Sequence, residues 1–272
     1  MVKLLLSAYR SLPLFKGKLR LGKILFKKMV NRVGAIEFTA HQHINYKIPN
    51  TLENLGVELL INGIYEKSSV SFLKDKMKDG DVYFDIGANI GSIGLPIVKS
   101  KAGLKYYGFE ASPVVFEYLQ RNFKENAASN YELHNCLVHE DNDKQMKFYQ
   151  SELYGKSSLA PTYASKYIEV NSLSINSFCT TQKIPSVNWV KIDVQGFELY
   201  VFKGMQQLLR DKKVHNILFE FENWAEEEAG LEKGAAQRYL SDLGYDFFDM
   251  NGHKINKIIT EGSTMIWARP AA

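Results

Sequence analysis

The sequence is poor in cysteine and contains no long apolar run. Cys136 and Cys179 are its only cysteines, too few for a disulfide framework or a cysteine-rich metal site. This usage fits a reducing compartment, so a cytoplasmic location is expected. No signal-peptide pattern opens the chain, and no segment approaches the roughly 20 apolar residues that a membrane-spanning helix needs. The composition, 45% hydrophobic and 24% charged, is typical of a globular protein with one substantial core.

Metal and serine-nucleophile patterns are also missing. The six histidines show no His-Glu-x-x-His or comparable ligand spacing, so no zinc site is expected. A magnesium site built from Asp193 and Glu220 is the alternative left open. No serine lies in a Gly-x-Ser-x-Gly elbow, which argues against serine hydrolase chemistry.

Acidic residues are absent from the first 32 positions. These positions hold nine basic residues, whereas the rest of the chain carries 25 bases against 30 acids. Apolar residues recur at helical spacing on both sides of Pro13, which predicts two short amphipathic helices within residues 1–33. Residues 1–50 are expected to form a basic helical arm and cap, and residues 51–272 the main domain. The arm either docks on that domain or contacts the inner face of a membrane peripherally, with leucines against acyl chains and basic groups against anionic head groups.

Strand-like and helix-like segments alternate after the arm, which predicts a doubly wound α/β sheet with helices on both faces. The parallel strands are expected at residues 82–85, 105–109, 131–138, 187–192 and 215–221. Residues 245–250 and 264–268 are expected to close the sheet as an antiparallel pair. Residues 140–186 break the alternation and are interpreted as a lid-like insertion on the substrate side.

The turn after the first predicted strand carries the first ligand signal. An apolar run ends at Asp85, and Gly87, Asn89 and Gly91 then lead into a helix. In such a unit a ligand lies against the loop, and the helix N-terminus favours negative charge. Asn89 stands where a dinucleotide fingerprint needs its second glycine, so a carboxylate is favoured over a pyrophosphate. The amino-acid end of S-adenosylmethionine meets that requirement.

Glu110 carries the second ligand signal. It ends the second predicted strand, 23 positions after Gly87. An acid at this place accepts hydrogen bonds from the hydroxyls of a bound ribose, because the ribose lies over that strand end. The alternative is a surface carboxylate that caps the following helix.

Several blocks of sequence follow one another in a specific order and spacing. They are Gly63-Ile64-Tyr65-Glu66, Phe84-Asp85-Ile86-Gly87-Ala88-Asn89-Ile90-Gly91, Phe109-Glu110 with Pro113 and Asn122, Lys191-Ile192-Asp193-Val194-Gln195-Gly196-Phe197-Glu198, Gly204, and Leu218-Phe219-Glu220. Together they resemble the FkbM family of class I methyltransferases over about residues 57–268. The block that begins at Lys191 is the most specific, since glycine loops by themselves are common.

The resemblance implies both a fold and an activity. The fold is Rossmann-like, a seven-stranded and mostly parallel sheet with an antiparallel final strand, preceded here by the N-terminal helices. The activity is S-adenosylmethionine-dependent O-methyl transfer to a hydroxyl of a sugar, a glycan or another small molecule. Class I proteins place the adenine edge at the end of the third strand, where Asn135 and Cys136 fall. A buried core cysteine is the alternative for Cys136.

The strand ends also supply candidate catalytic acids. Asp193 ends the fourth strand at the expected topological switch point, where its carboxylate could orient the cofactor or take a proton from the substrate hydroxyl. The alternative is a buried pair with Lys191. Glu220 ends the fifth strand and could act as the base, as a sugar ligand or as part of a solvated rim. Gln195 stands where the family usually has glutamate, so a charge at that position is lost.

Two other functions compete with small-molecule methylation. A nucleic-acid methyltransferase is disfavoured, because the Asp/Asn-Pro-Pro-Tyr string of amino-methylating enzymes is absent and the body of the chain is net acidic. No nucleic-acid partner is therefore expected. A module that binds the cofactor without turnover is the other alternative, to which Gln195 gives slight support. The other departures, Ala111 for proline and Ile175-Asn176 for leucine-aspartate, affect no predicted contact.

Overall fold

A computed structural model describes residues 2–126 and 130–271. The helices are α1 (Val2–Ser11), α2 (Lys18–Leu25), α3 (Asn54–Asn62), α4 (Lys67–Lys76), α5 (Gly94–Val98), α6 (Pro113–Asn126), α7 (Ile175–Thr181), α8 (Glu198–Gly204), α9 (Gln206–Arg210), α10 (Asn223–Glu228) and α11 (Ala235–Asp242). The strands are β1 (Ile36–Thr39), β2 (Asn45–Ile48), β3 (Val82–Ile86), β4 (Lys105–Glu110), β5 (Tyr131–Asn135), β6 (Leu137–Val138), β7 (Gln145–Tyr149), β8 (Tyr167–Leu173), β9 (Val187–Ile192), β10 (Val214–Glu222), β11 (Tyr245–Phe248), β12 (Lys254–Ile255) and β13 (Ser263–Pro270).

The central sheet has the strand order β12-β11-β13-β10-β9-β3-β4-β5. Strands β3, β4, β5, β9 and β10 are parallel, and β13 runs antiparallel between β10 and β11. The seven-stranded, mostly parallel sheet and its antiparallel closing strand are thus confirmed, and the two-residue β12 extends it at one edge. The chain leaves β3 in one direction through β4 and β5 and returns on the other side at β9. The topological switch point therefore lies between β3 and β9.

Alternation along the strands explains why helices cover both faces of this sheet. On β3, Tyr83 points into one apolar cluster and Phe84 into the other. The first cluster is closed by α3, α4, α5 and α6, and the second by α7, α8, α9 and α11. Both Tyr83 and Phe84 are fully buried. A strand buried on both faces is mostly apolar, as β3 is apart from Asp85 and β9 apart from Asn188 and Lys191.

The insertion after β5 forms a separate small sheet of order β6-β8-β7. The strand predicted over residues 131–138 is broken at Cys136, so β5 stays in the central sheet and β6 joins the small one. The segment between β10 and β11 is likewise divided, into the two helices α10 and α11. Gly230 and Gly234 adopt left-handed φ angles of 73° and 79° between them, a conformation that a continuous helix does not contain.

The arm packs on the domain through its basic as well as its apolar side chains. Arg10 and Lys18 are only 6% and 1% exposed. The Arg10 guanidinium donates to the backbone carbonyls of Leu60 (2.8 Å) and Thr39, and the Lys18 ammonium to that of Arg10 (3.1 Å). These bonds attach α1 and α2 to α3. The arm therefore has an inner face that docks and an outer face that does not.

A ladder of asparagine side chains attaches β2 to α6. The Asn122 carboxamide accepts from the Lys47 N–H (2.8 Å) and donates to the carbonyls of Lys47 (3.1 Å) and Ile90 (2.9 Å). Asn126 makes a similar pair of bonds to the backbone of Asn45 one turn later. Asn122 thus connects the N-terminal hairpin, α6 and the glycine turn.

Candidate active site

A cavity of about 480 Å³ opens at the carboxyl ends of the parallel strands. It is lined by the turn after β3, the ends of β4, β9 and β10, and the insertion. The volume is in the usual range for a small-molecule site. The predicted residues that line it are Gly87, Asn89, Glu110, Cys136, Asp193 and Glu220. The cavity lies at the switch point, where open α/β sheets bind their ligands.

Gly87 is required by a close approach of two backbone segments. Its φ is 75°, and a Cβ at this position would lie 2.0 Å from the carbonyl oxygen of Asp193. The turn can therefore pass directly over the end of β9 only when residue 87 has no side chain. Gly91 also has a positive φ, 82°, but its missing Cβ faces Phe123 and Leu119 of α6. Gly91 does not line the cavity; it lets the turn pack on the helix.

Asn89 and Glu110, predicted from separate signals, are directly hydrogen-bonded. The Asn89 N–H donates to one Glu110 carboxylate oxygen at 3.0 Å, and the Ser112 N–H donates to the other at 2.8 Å. Asn89 adopts a left-handed φ of 50°, which asparagine tolerates, and its side chain accepts from the Ile90 N–H. Burial raises the pKa of Glu110 to about 7, against these N–H bonds. The unused lone pairs of Glu110 face the cavity, where a ribose hydroxyl can donate to them.

Cys136 lies next to Glu110, since its N–H donates to the Glu110 carbonyl at 3.2 Å. Its side chain lines the cavity together with Phe109 and Leu137, an apolar environment suited to a purine ring. Asn135 does not line the cavity. Its amide donates to the backbone carbonyls of Glu110 (2.8 Å) and Ala111 (3.2 Å). The adenine contact thus stays a prediction for Cys136, whereas Asn135 shapes the strand ends.

Asp85 also lies outside the cavity, beneath the glycine turn. It is completely buried, accepts from the Tyr106 hydroxyl at 2.9 Å and lies 3.7 Å from the Lys191 ammonium. The alternation of β3 places this side chain on the same face of the sheet as Tyr83, beside Tyr106 of β4 and Lys191 of β9. Its position is suited to holding Lys191 rather than to contacting a cofactor directly.

Lys191 joins the turn to Asp193. Its ammonium lies 3.3 Å from the Asp193 carboxylate and 3.4 Å from the Gly87 carbonyl. Burial would lower the pKa of Lys191, but Asp193 and Asp85 raise it above its ordinary value. Burial would likewise raise the pKa of Asp193, but the Lys191 charge and the Gln195 amide hold it below the usual range. Asp193 is therefore paired with Lys191 and also lines the cavity, while its catalytic role stays a prediction.

Gln195 bridges the two predicted acids. Its amide nitrogen donates to Asp193 at 3.1 Å and lies 3.5 Å from Glu220, while its oxygen accepts from the Lys156 ammonium at 3.0 Å. A glutamate at position 195 would lack this donor. Burial, followed by the charges of Asp193 and Glu222, raises the pKa of Glu220 to about 10. These opposite shifts favour Glu220 as the protonated member of the pair at neutral pH and Asp193 as the ionised one.

The turn that carries Gln195 is fixed by two further residues of the same block. A Cβ on Gly196, whose φ is 95°, would lie 2.2 Å from the Ala225 carbonyl oxygen. Glu198 accepts from the N–H groups of Val194 (3.0 Å) and Gly196 (3.4 Å), and burial raises its pKa to about 8. The specificity of this block in sequence thus reflects the shape of one turn.

The structure adds cavity residues that the sequence analysis did not assign. They are Glu53, Tyr65, Glu66, Tyr154, Lys156 and Tyr163. Tyr65 and Glu66 belong to the block Gly63-Ile64-Tyr65-Glu66, which contributes to the family resemblance, but the sequence predicted no role for either residue. The Lys156 ammonium lies 5.4 Å from the Trp224 ring centroid and 5.9 Å from that of Tyr163. Lys156 and Tyr163 come from the insertion, which was expected on the substrate side but without any individual residue assigned to the site.

Metal ligands are not grouped in the part of the chain that the structure covers. Across residues 2–126 and 130–271, no three histidine, cysteine, aspartate or glutamate side chains are arranged to hold an ion. The expectation of metal-independent chemistry stays a prediction.

The strand order and the cavity at the switch point define a class I methyltransferase, with S-adenosylmethionine as the methyl donor that this fold implies. Three parts of the cavity are suited to that cofactor. The turn at Gly87 is expected to hold its amino-acid tail, the Glu110 carboxylate its ribose, and the apolar space at Cys136 its base. The model of the methyltransferase FkbM domain matches residues 85–247, and the chain belongs to this family.

Individual proteins resemble the chain only at low sequence identity. The hexuronic acid methyltransferase AglP of Haloferax volcanii is 26% identical over 145 residues, which span 53% of this chain and 58% of that protein. A TehB-like S-adenosylmethionine-dependent methyltransferase of Corynebacterium glutamicum superposes with a TM-score of 0.41 at 10% identity, covering 79% of this chain and 93% of the other. An rRNA methylase of Streptococcus thermophilus gives 0.43 at 11% identity, covering 75% and 95%.

Proposed function

We propose that this methyltransferase transfers the methyl group to a hydroxyl of a sugar, a glycan or a similar polyhydroxylated small molecule. The observation that carries the proposal is the bridge from Asp193 through Gln195 to Glu220 in the cavity wall. One ionised and one protonated carboxyl group, held side by side, can accept from one hydroxyl and donate to another. A polyol has hydroxyl groups on neighbouring carbons, so one hydroxyl can donate to Asp193 while the next accepts from Glu220. The distant hexuronic acid methyltransferase supports the same acceptor class.

Different residues along the cavity are assigned to different parts of the cofactor and to the acceptor. Gly87 and Asn89 would hold the amino-acid tail of the cofactor, Glu110 its ribose and Cys136 its base. When bound, the cofactor supplies an electrophilic methyl group on a sulfonium. The Asp193 carboxylate would accept the proton of the acceptor hydroxyl as that oxygen takes the methyl group from the sulfonium. Lys191 and Gln195 hold this carboxylate in place, and in-line positioning supplies much of the rate.

The decisive experiment is transfer of a labelled methyl group to a defined acceptor panel. The panel contains free hexoses, hexuronic acids, a short oligosaccharide, RNA and DNA. We expect label in a base-stable ether on a sugar, with none in the nucleic acids. Asp193→Asn should lower kcat by roughly 10²-fold or more, because the proton acceptor is lost. Glu261→Gln, at a carboxylate outside the cavity lining, is the matched control and should keep full activity.

Calorimetry with S-adenosylmethionine separates the ways in which this proposal can fail. Cofactor binding without label in any acceptor would contradict the acceptor class and favour a module without turnover. Absence of binding would overturn the cofactor site itself. Label in RNA or DNA that falls as salt rises would instead favour the nucleic-acid alternative.

A further inference from the structure

The outer face of the arm concentrates exposed apolar side chains. Among the described residues, nine of the twelve large hydrophobic side chains that are exposed lie within residues 2–33. They are Val2, Leu4, Leu5, Leu12, Phe15, Leu21, Ile24, Leu25 and Val33. Leu4 and Val33 are each 79% exposed, and Ile24 is 67% exposed. A soluble surface that lacked a partner would scatter such residues rather than collect them.

Basic side chains surround these apolar ones. Of the nine bases in the arm, Arg10 and Lys18 are buried and the other seven are partly or fully exposed: Lys3, Lys16, Arg20, Lys23, Lys27, Lys28 and Arg32. Within the described residues, none of these seven forms an ion pair with a carboxylate. The arm has no acid that could neutralise them locally. A partner that neutralised these bases would have to supply negative charge from outside the arm.

The two kinds of side chain share the outer side of α2. Lys18 and Gly22 face inward, and a Cβ on Gly22 would lie 2.3 Å from the Ile61 side chain of α3. The exposed apolar side chains of α2 are Leu21, Ile24 and Leu25, and Arg20, Lys23, Lys27 and Lys28 are next to them in the chain. Apolar residues flanked by bases on a helix that lies flat on its domain are typical of an interfacial membrane helix. We call this surface, the outer side of α2 with Phe15 and Lys16 before it, the arm surface.

We propose that the arm surface binds an anionic lipid bilayer, with its leucines and isoleucine among the acyl chains and its bases against the head groups. No helix among the described residues is long and apolar enough to cross a bilayer, so the contact is peripheral. An anionic bilayer is the partner that offers both an apolar layer and a dense negative charge.

The arm surface also adjoins the active-site cavity. A groove beside α2 is lined by Lys23, Ile24 and Lys27 together with 52–54, and residues 52–54 line the cavity as well. The Lys23 ammonium donates to the Asn54 side chain at 3.3 Å. A bilayer bound at the arm surface would therefore lie beside the cavity mouth.

Vesicle flotation of the full-length protein tests the proposal without any acceptor. Vesicles of phosphatidylcholine alone are compared with vesicles containing 30 mol% (about one lipid in three) phosphatidylglycerol. We expect the protein to float with the anionic vesicles and high salt to weaken binding. Lys27→Glu with Lys28→Glu should lower the partition coefficient by roughly tenfold or more, because each base near an anionic surface contributes about 1 kcal/mol. Ile24→Glu with Leu25→Glu should lower it comparably.

Control variants show whether vesicle binding depends on changes within the arm surface or on any loss of exposed charge or apolar area. Lys166→Glu and Val114→Glu change an exposed base and an exposed hydrophobic residue outside the arm, and they should leave flotation unchanged. Circular dichroism and calorimetry with S-adenosylmethionine establish that each arm variant is folded. Flotation that is absent, or independent of phosphatidylglycerol, would overturn the proposal. A stable dimer that the Ile24 and Leu25 changes dissociate, without flotation, would assign the arm surface to a second copy of this chain.

Discussion

At the residue scale, Glu110 shows how one carboxylate organises a ligand site. It accepts two backbone N–H groups, one from the glycine turn and one from the start of α6. These bonds fix its orientation before any ligand enters, so little ordering is needed on binding. The ribose interpretation of Glu110 in the sequence therefore gains a structural reason, although the contact itself is still a prediction.

Replacing Glu110 with glutamine tests that role. Glu110→Gln keeps the shape of the side chain but turns an NH₂ group toward one of the two N–H donors. We expect affinity for S-adenosylmethionine, measured by calorimetry, to fall roughly tenfold to hundredfold, because a bond to a charged group contributes about 1.5–3 kcal/mol. Glu125→Gln, on the exposed side of α6, is the control. Unchanged affinity in Glu110→Gln would contradict the assignment of the ribose.

Glu220 carries a pH dependence whose sign follows from its burial. Its pKa is raised to about 10 in the folded protein, whereas an unfolded chain ionises it near 4.5. Because the folded state holds the proton more tightly, the contribution of Glu220 to stability is greatest below pH 4.5. That contribution is lost progressively as the pH rises from there toward 10.

Glu220→Gln removes this titration and leaves a neutral side chain of similar size. The variant should unfold at a higher temperature than the parent protein at pH 8, and the difference should shrink as the pH approaches 4.5. Thermal unfolding followed by circular dichroism at several pH values is the measurement. A destabilised variant at pH 8 would show that the ionised form of Glu220 is the one that the fold favours.

At the element scale, the turn after β3 is shaped by contact with another strand. Gly87 has both a left-handed φ and a backbone oxygen in the space of a side chain. Gly80 has a similar φ of 79°, but no atom lies within 4 Å of the position of its Cβ. Substitutions at the two positions can therefore separate the free-energy cost of the left-handed backbone conformation from the cost of the close approach to Asp193.

Alanine at these two glycines should give different results. Gly80→Ala should destabilise by about 1 kcal/mol through its positive φ alone and should leave cofactor affinity unchanged. Gly87→Ala should destabilise by about 3 kcal/mol or more and abolish binding of S-adenosylmethionine, since the turn must move away from Asp193. Urea unfolding and calorimetry measure the two effects. Equal effects at both positions would mean that the contact with Asp193 is unimportant.

The asparagine ladder is the second device at this scale. Asn122→Ala would leave the Lys47 N–H and the carbonyls of Lys47 and Ile90 without their present partner. We expect a loss of about 2–4 kcal/mol in urea unfolding, because buried backbone groups are costly to leave unpaired. Asn126→Ala, whose bonds to Asn45 are exposed, should cost about 1 kcal/mol. Equal losses of stability in the two variants would contradict the role of Asn122 as the link between β2, α6 and the glycine turn.

At the scale of the whole molecule, charge and function are segregated. Seven of the nine bases of the arm are partly or fully exposed, whereas the cavity holds carboxylates balanced by the buried Lys191 and by Lys156. Docking on the domain and contact with a membrane are therefore not exclusive for the arm. Its inner face uses Arg10 and Lys18 as buried hydrogen-bond donors, and its outer face keeps the remaining bases available.

The sequence by itself determined the strand order and the residues at the strand ends. Apolar runs, glycine turns and an acid at a fixed distance are local constraints of the βαβ unit, so they can be recognised without coordinates. For the same reason Gly87, Asn89, Glu110, Asp193 and Glu220 could be named as a group. Local spacing did not separate Asp85, Gly91 and Asn135 from them, because only packing shows which side a turn or strand residue faces.

Tertiary structure alone decided the remainder of the cavity and the surfaces of the arm. Lys156 and Tyr163 reach the site from an insertion whose path depends on the small β6-β8-β7 sheet, a long-range pairing without a sequence period. The protonation of Glu220 depends on burial next to Asp193, which is a property of assembled neighbours rather than of either residue. Helical periodicity in the arm likewise shows an apolar face and a basic composition, but only the packing of Gly22 on α3 establishes which face remains outside.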